Sequence, residues 1–135
     1  MTLTDAGPLV ALVDVGQQQN VRCRAAFKNL VLPLITTWPA FAEAIYLLGR
    51  IGGWTLQNNL WKYVEDGTLV FYTSSVDEPP RMKALMEQYR DRPMDLADAS
   101  LVVAAEVRGD KRIFTIDSDF YIYQFNGREP FDVVP

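Results

Sequence analysis

The sequence has no histidine and a single cysteine, Cys23. The first absence removes the imidazole base of Ser-His-Asp and Cys-His mechanisms, and with it the usual ligand of hydrolytic zinc sites. The second excludes an internal disulfide and fits a reducing compartment. No apolar run approaches the ~20 residues that a membrane-spanning helix needs. Met1 to Asp5 places no basic region ahead of an apolar one, so no secretory leader is expected and a cytoplasmic location is. Repeats, low-complexity tracts and Pro/Gly-rich linkers are also missing, which predicts one domain over 1–135. Positive charge is scarce: 13 basic against 17 acidic residues give a net charge of −4, which argues against broad electrostatic binding of nucleic acid. A set of carboxylates that collects a cation would lower that formal total without repelling an anionic substrate.

What remains is ordinary globular material, 49% hydrophobic and 22% charged. Short apolar runs alternate with helical stretches. Leu3 to Asp5, Val31 to Thr36, Leu69 to Thr73 and Lys111 to Asp117 read as strands, with a further strand at Phe120 to Phe125 that turns at Asn126-Gly127. Helices are predicted from Leu9 to Val15, Gln17 to Asn29, Trp38 to Arg50, Trp54 to Glu65, Asp77 to Arg90 and Leu96 to Val107. The two central helices should part at Gly52-Gly53, and Asp77 is the expected cap of the one opened by Pro79-Pro80. Such alternation predicts an α/β fold, a three-layer α/β/α sandwich around a central, mainly parallel sheet. Trp38, Trp54, Trp61 and the alternating Tyr121, Tyr123 and Phe125 read as core and half-buried strand.

The segment Leu96 to Val107 is apolar on nearly every face, as a helix inside a protein is, yet Asp95 and Asp98 stand at its start. Asp95 is a good N-cap. In open α/β sheets, sites form beyond the carboxyl ends of the strands. Asp5 ends the first strand, Asp117 ends the late one, and Asp98 opens the apolar helix. Glu43 lies about one turn into the Trp38 helix, the only charge between Trp38 and Leu48. Taken singly, each has a plainer explanation: Asp5 as a helix cap, Glu43 as a surface residue, Asp117 as a turn residue. Four acids from four elements at one sheet edge are better accounted for by a shared cation, since like charges cannot all stay ionised together without one. Oxygen ligands alone suit Mg²⁺ or Mn²⁺.

The segments around these acids resemble PIN-domain ribonucleases, and most of all the VapC toxins of bacterial toxin–antitoxin pairs. The likeness rests on Leu3-Thr4-Asp5-Ala6-Gly7-Pro8-Leu9, Thr36-Thr37-Trp38-Pro39-Ala40-Phe41-Ala42-Glu43-Ala44, Met94-Asp95-Leu96-Ala97-Asp98-Ala99-Ser100-Leu101 and Phe114-Thr115-Ile116-Asp117-Ser118-Asp119-Phe120. It implies a Mg²⁺- or Mn²⁺-dependent endoribonuclease acting on RNA, restrained by a small VapB-like antitoxin and dimeric. By position, Asp5, Glu43, Asp98 and Asp117 match the family's acidic quartet. Thr115 matches the hydroxyl that often precedes the last acid, and Asp95 and Asp119 are extra acids near the metal.

Two other readings compete. A non-catalytic member of the same fold would serve as a binding module, although it would be expected to have lost an acid. A phospho-receiver domain shares the length, the class and a Mg²⁺ site. It needs an acceptor Asp after the middle strand and a Lys after the last, where this chain has Tyr72-Thr73-Ser74-Ser75 and Asp117-Ser118-Asp119. Candidates for contacting an RNA backbone are Arg22, Arg24, Lys28, Arg81, Lys83, Arg90 and Arg92; for most of them a solvated helix face is the simpler reading. The Leu56–Leu60–Val64 stripe reads as a core face. Cys23 lies among arginines that would lower its thiol pKa, but it has no histidine partner for nucleophilic work.

Overall fold

A computed structural model describes residues 1–135. Strands β1 (Thr2–Thr4), β2 (Leu34–Thr36), β3 (Leu69–Phe71), β4 (Arg112–Phe114) and β7 (Asp132–Val134) form one sheet in the order β3-β2-β1-β4-β7. Every pairing in it is parallel. A separate hairpin joins β5 (Gln124–Phe125) to β6 (Glu129–Pro130) through Asn126 and Gly127, both at positive φ, as the sequence pair predicts. The order within the main sheet differs from the 2-1-3-4-5 of receiver domains, so the fold speaks against that rival.

Helices cover both faces because the strands are apolar on both. Leu34 and Phe114 point into one core with α1 (Ala6–Val13), α2 (Asn20–Phe27) and α3 (Trp38–Glu65). Their neighbours Ile35 and Ile113 point into the other, with α4 (Pro79–Gln88) and α5 (Leu96–Arg108). This alternation in fully buried strands is what a parallel sheet sandwiched by helices requires. From Ala97 to Ala105 every residue of α5 is buried, so the helix that reads as apolar all round is the central strut of its layer. No helix is long and apolar enough to cross a membrane.

Several local expectations need correcting. Phe120 to Phe125 is not a strand: Ser118–Tyr121 is a 3-10 helix, started by the Asp117 side chain accepting from the Asp119 N–H at 2.9 Å, and only Gln124–Phe125 is extended. The last sheet strand, Asp132–Val134, lacks any sequence signal beyond its two valines. Helix α2 begins at Asn20, whose buried amide donates to the Ala11 carbonyl at 2.6 Å. Glu78, not Asp77, stands at the start of α4, its carboxylate turned to the Tyr72 hydroxyl at 3.0 Å. Trp38 and Trp54 are exposed, Trp38 with its ring stacked 3.9 Å from Phe71. Leu56, Leu60 and Val64 do face the core. Cys23 is fully buried, and that burial raises its thiol pKa more than Arg22 lowers it.

The two central helices form one long element with a break at the expected place. Gly52 and Gly53 are non-helical, and Gly53 sits at φ 68°, ψ −154°, a region almost closed to other residues. Gly53→Ala is expected to cost about 1–3 kcal/mol, read as a lower denaturation midpoint at unchanged m-value.

Candidate metal centre

The parallel arrangement sends the C-terminal ends of β1, β2 and β4 to the same edge, and the acids follow them. Asp5 comes directly after β1 and caps α1, one carboxylate oxygen accepting from the Ala6 N–H at 2.7 Å. Asp117 follows β4 and caps the 3-10 helix. Asp95 caps α5 by accepting from the Asp98 N–H at 2.8 Å, which places Asp98 in the first turn of that helix. Helix N-termini favour negative charge, so each acid sits where the backbone partly offsets it.

Oxygens from Asp5, Asp98 and Asp117 all lie within 4.8 Å of one another, close enough to share a divalent cation. They line a cavity of about 290 Å³. Glu43 and Asp95 line the same cavity, but Glu43, exposed on α3, is not among the three that converge. Gly7 and Ile116 complete the wall on one side. A Cβ on Gly7 would meet Ile116 Cγ1 at 2.7 Å, so the missing side chain lets the start of α1 come close to the segment that carries Asp117. Asp119 turns away and pairs with Arg92 at 2.9 Å.

Two hydroxyls hold this arrangement from beneath. Thr115, buried after β4, donates to Asp5 Oδ2 at 2.8 Å and accepts from the Asp117 N–H at 3.0 Å, so it ties two of the acids together. Tyr123, 1% exposed, donates to Asp98 Oδ2 at 2.8 Å. Nothing in the local sequence points to Tyr123; its one indirect signal is that a buried carboxylate needs a donor and none is adjacent in the chain. Farther in, Thr37 and Ser100 share a hydrogen bond of 2.7 Å that fastens the start of α3 to α5.

No lysine or arginine lines the acid cavity, and none of the three converging acids forms an ion pair. Burial without a balancing cation consequently suppresses the ionisation of Asp5 and Asp98. Burial raises the Asp98 pKa to about 8 against the pull of the Tyr123 hydrogen bond, with Asp5, Asp95 and Asp117 adding to the rise. Asp5 rises to about 6, again chiefly by burial, although Thr115 and Ala6 stabilise its charged form. The Glu43 pKa is raised by partial burial and then by Asp95 and Asp117. The Tyr123 hydroxyl is pushed upward by burial and by Asp98, which keeps it a donor. An all-carboxylate donor set, buried and short of positive charge, suits a hard divalent ion better than zinc.

No family model and no curated protein matches the sequence. Among solved structures, the chain is similar to Mycobacterium tuberculosis VapC20, a toxin that cleaves the sarcin–ricin loop, with a TM-score of 0.84 over 100% of both chains at 15% identity. The two share one fold. At that identity the likeness carries the architecture, a five-stranded parallel sheet between helical layers, which is the α/β class read from the sequence.

The raised carboxylate pKa values carry a stability prediction. Between pH ~4 and ~8 the folded protein binds more protons at Asp5 and Asp98 than the unfolded chain does, so the metal-free fold weakens as pH rises through that window. With no histidine present, little else titrates between pH 6 and 8. Thermal unfolding in chelator should show a lower Tm at pH 8 than at pH 6, and Asp98→Asn should flatten that slope.

Proposed function

We propose that this chain is a divalent-metal-dependent endoribonuclease that hydrolyses RNA phosphodiester bonds, a toxin of the VapC kind restrained by a small antitoxin and acting as a homodimer. The observation that carries the reading is the convergence of Asp5, Asp98 and Asp117 within 4.8 Å without a balancing cation, in a fold shared with an RNA-cleaving toxin. In this reading Asp5, Asp98 and Asp117 hold the ion, and Glu43 and Asp95 add negative potential around it. A Mg²⁺ or Mn²⁺ ion bound there supplies the Lewis acidity that phosphodiester hydrolysis needs in a chain without an imidazole base.

The remaining work belongs to the protein's own groups. Tyr123 fixes the Asp98 carboxylate by occupying Oδ2, which leaves Oδ1 without a hydrogen-bond donor of its own. Thr115 sets the spacing of Asp5 and Asp117 through its two hydrogen bonds, so a change at this hydroxyl disturbs both acids together. Asp5 and Asp98 must give up their protons before they can act as ligands. Cleavage at fixed Mg²⁺ should therefore rise from pH 6 to 8, and the metal concentration needed for half-maximal rate should fall over the same range.

The direct test compares the wild type with Asp98→Asn on RNA, with Mg²⁺, with Mn²⁺ and with excess chelator. The substitution and the chelator should each abolish cleavage, while Mn²⁺ raises the Tm of the wild type and not of the variant. Full activity in either condition overturns the proposal. Tyr123→Phe should keep the fold and lose ~10–100-fold in metal affinity, as removal of a group that orients a ligand does, measured by Mn²⁺ titration.

A further inference from the structure

Asp117 borders more than the acid cavity. Together with Ile116 it also forms the wall of a second hollow, about 190 Å³, whose other sides include Arg22, Ser118 and Tyr121. Arg22, exposed on α2, is the only cation that lines either cavity. It forms no ion pair, and its one hydrogen bond is a 3.5 Å contact with the Pro135 carbonyl. Tyr121 follows in the 3-10 helix that Asp117 starts, 66% exposed, with no hydrogen bond to its hydroxyl. An exposed guanidinium, whose one contact is the Pro135 main-chain oxygen, and an exposed tyrosine thus line the same hollow as Asp117.

The other basic residues are placed differently. Arg81 is held by two 3.0 Å bonds to Glu106, and Arg92 is paired with Asp119. Arg24 and Lys28 line a separate hollow with Phe27 and Tyr63, and Lys83 lies beside the groove along α4. In a chain of net charge −4, a polyanion brought to five carboxylates finds, beside any ion held there, only Arg22 as a fixed positive charge lining either hollow.

We propose that the hollow between Arg22 and Tyr121 is a nucleotide subsite for unpaired RNA, an inference that rests on the nuclease reading. Arg22 takes the phosphate next along the strand from the one at the acids, using the forked N–H geometry that suits a phosphate. The Tyr121 ring carries the neighbouring base by stacking. A base can reach that ring only when it is out of a duplex, so the subsite selects single strands and loops over helical RNA.

The test measures binding apart from cleavage. In two states that prevent turnover, Asp98→Asn and the wild type in excess chelator, a fluorescein-labelled unstructured oligoribonucleotide is titrated at several salt concentrations. Arg22→Gln should weaken binding several-fold and reduce the steepness of the log K against log salt plot by ~0.7, the loss of one phosphate contact to a single strand. Tyr121→Ala should cost about tenfold with no change in that slope, and Tyr121→Phe should bind as the parent does. Arg24→Gln should leave affinity and slope unchanged, and a hairpin stem of the same length should bind more weakly. Unchanged affinity and slope in Arg22→Gln, equal losses for Tyr121→Phe and Tyr121→Ala, or equal binding of the stem would overturn the subsite. If Asp98→Asn alone cleaves RNA at the wild-type rate, it is the nuclease reading that fails. If cleavage depends on Asp98 while binding ignores Arg22 and Tyr121, only the subsite fails.

Discussion

Burial of like charges without a counter-ion is the constraint around which the rest of this structure is arranged. Asp5 and Asp98 are nearly inaccessible to water, and with Asp117 they bring three carboxyl groups to one point. Elsewhere the chain neutralises its acids in ordinary ways, as in Arg81–Glu106 and Arg112–Asp132. Here it uses only dipoles: two helix starts, a 3-10 turn and the hydroxyls of Thr115 and Tyr123. These donors orient the oxygens without cancelling their charge, so the protein alone leaves the cluster electrostatically incomplete. The α/β scaffold suits that purpose, because a parallel sheet gathers the ends of successive strands at one edge.

Much of this was legible in the sequence, because the acids occupy positions where local chemistry and shared geometry coincide. Asp5 as a cap, Asp95 as a cap and Asp117 as a turn residue are all present in the structure, and Asp5 and Asp117 also converge with Asp98. The plain explanation and the shared site were never exclusive. The alternation of strand and helix was readable for a similar reason: burial on both faces of a sheet leaves unbroken apolar runs such as those around Leu34 and Ile113.

The stretch after Asp117 was not readable. Tyr121, Tyr123 and Phe125 alternate as a half-buried strand would, yet the Asp117 cap turns the chain into a 3-10 helix that buries Phe120 and Tyr123 and leaves Tyr121 in solvent. A local hydrogen bond to one side chain outweighed the period of the pattern, and with it went the partner of Asp98. Trp38 and Trp54 misled in the opposite sense, since size and hydrophobicity do not reveal which side of a helix the neighbours cover. Strand β7 escaped notice because its pairing with β4 is set by tertiary docking, and its three residues carry little preference of their own.

The N-terminal strand has a position with implications for biosynthesis. β1 lies in the middle of the sheet, with β2 on one side and β4, formed from residues more than a hundred positions later, on the other. During translation Asp5 emerges more than a hundred residues before its partners Thr115 and Asp117. Until Asp98 and then Asp117 have followed, a ribosome-bound intermediate carries a single acid of the three that converge. The cluster that could collect a cation is therefore complete only after β4 has paired with β1.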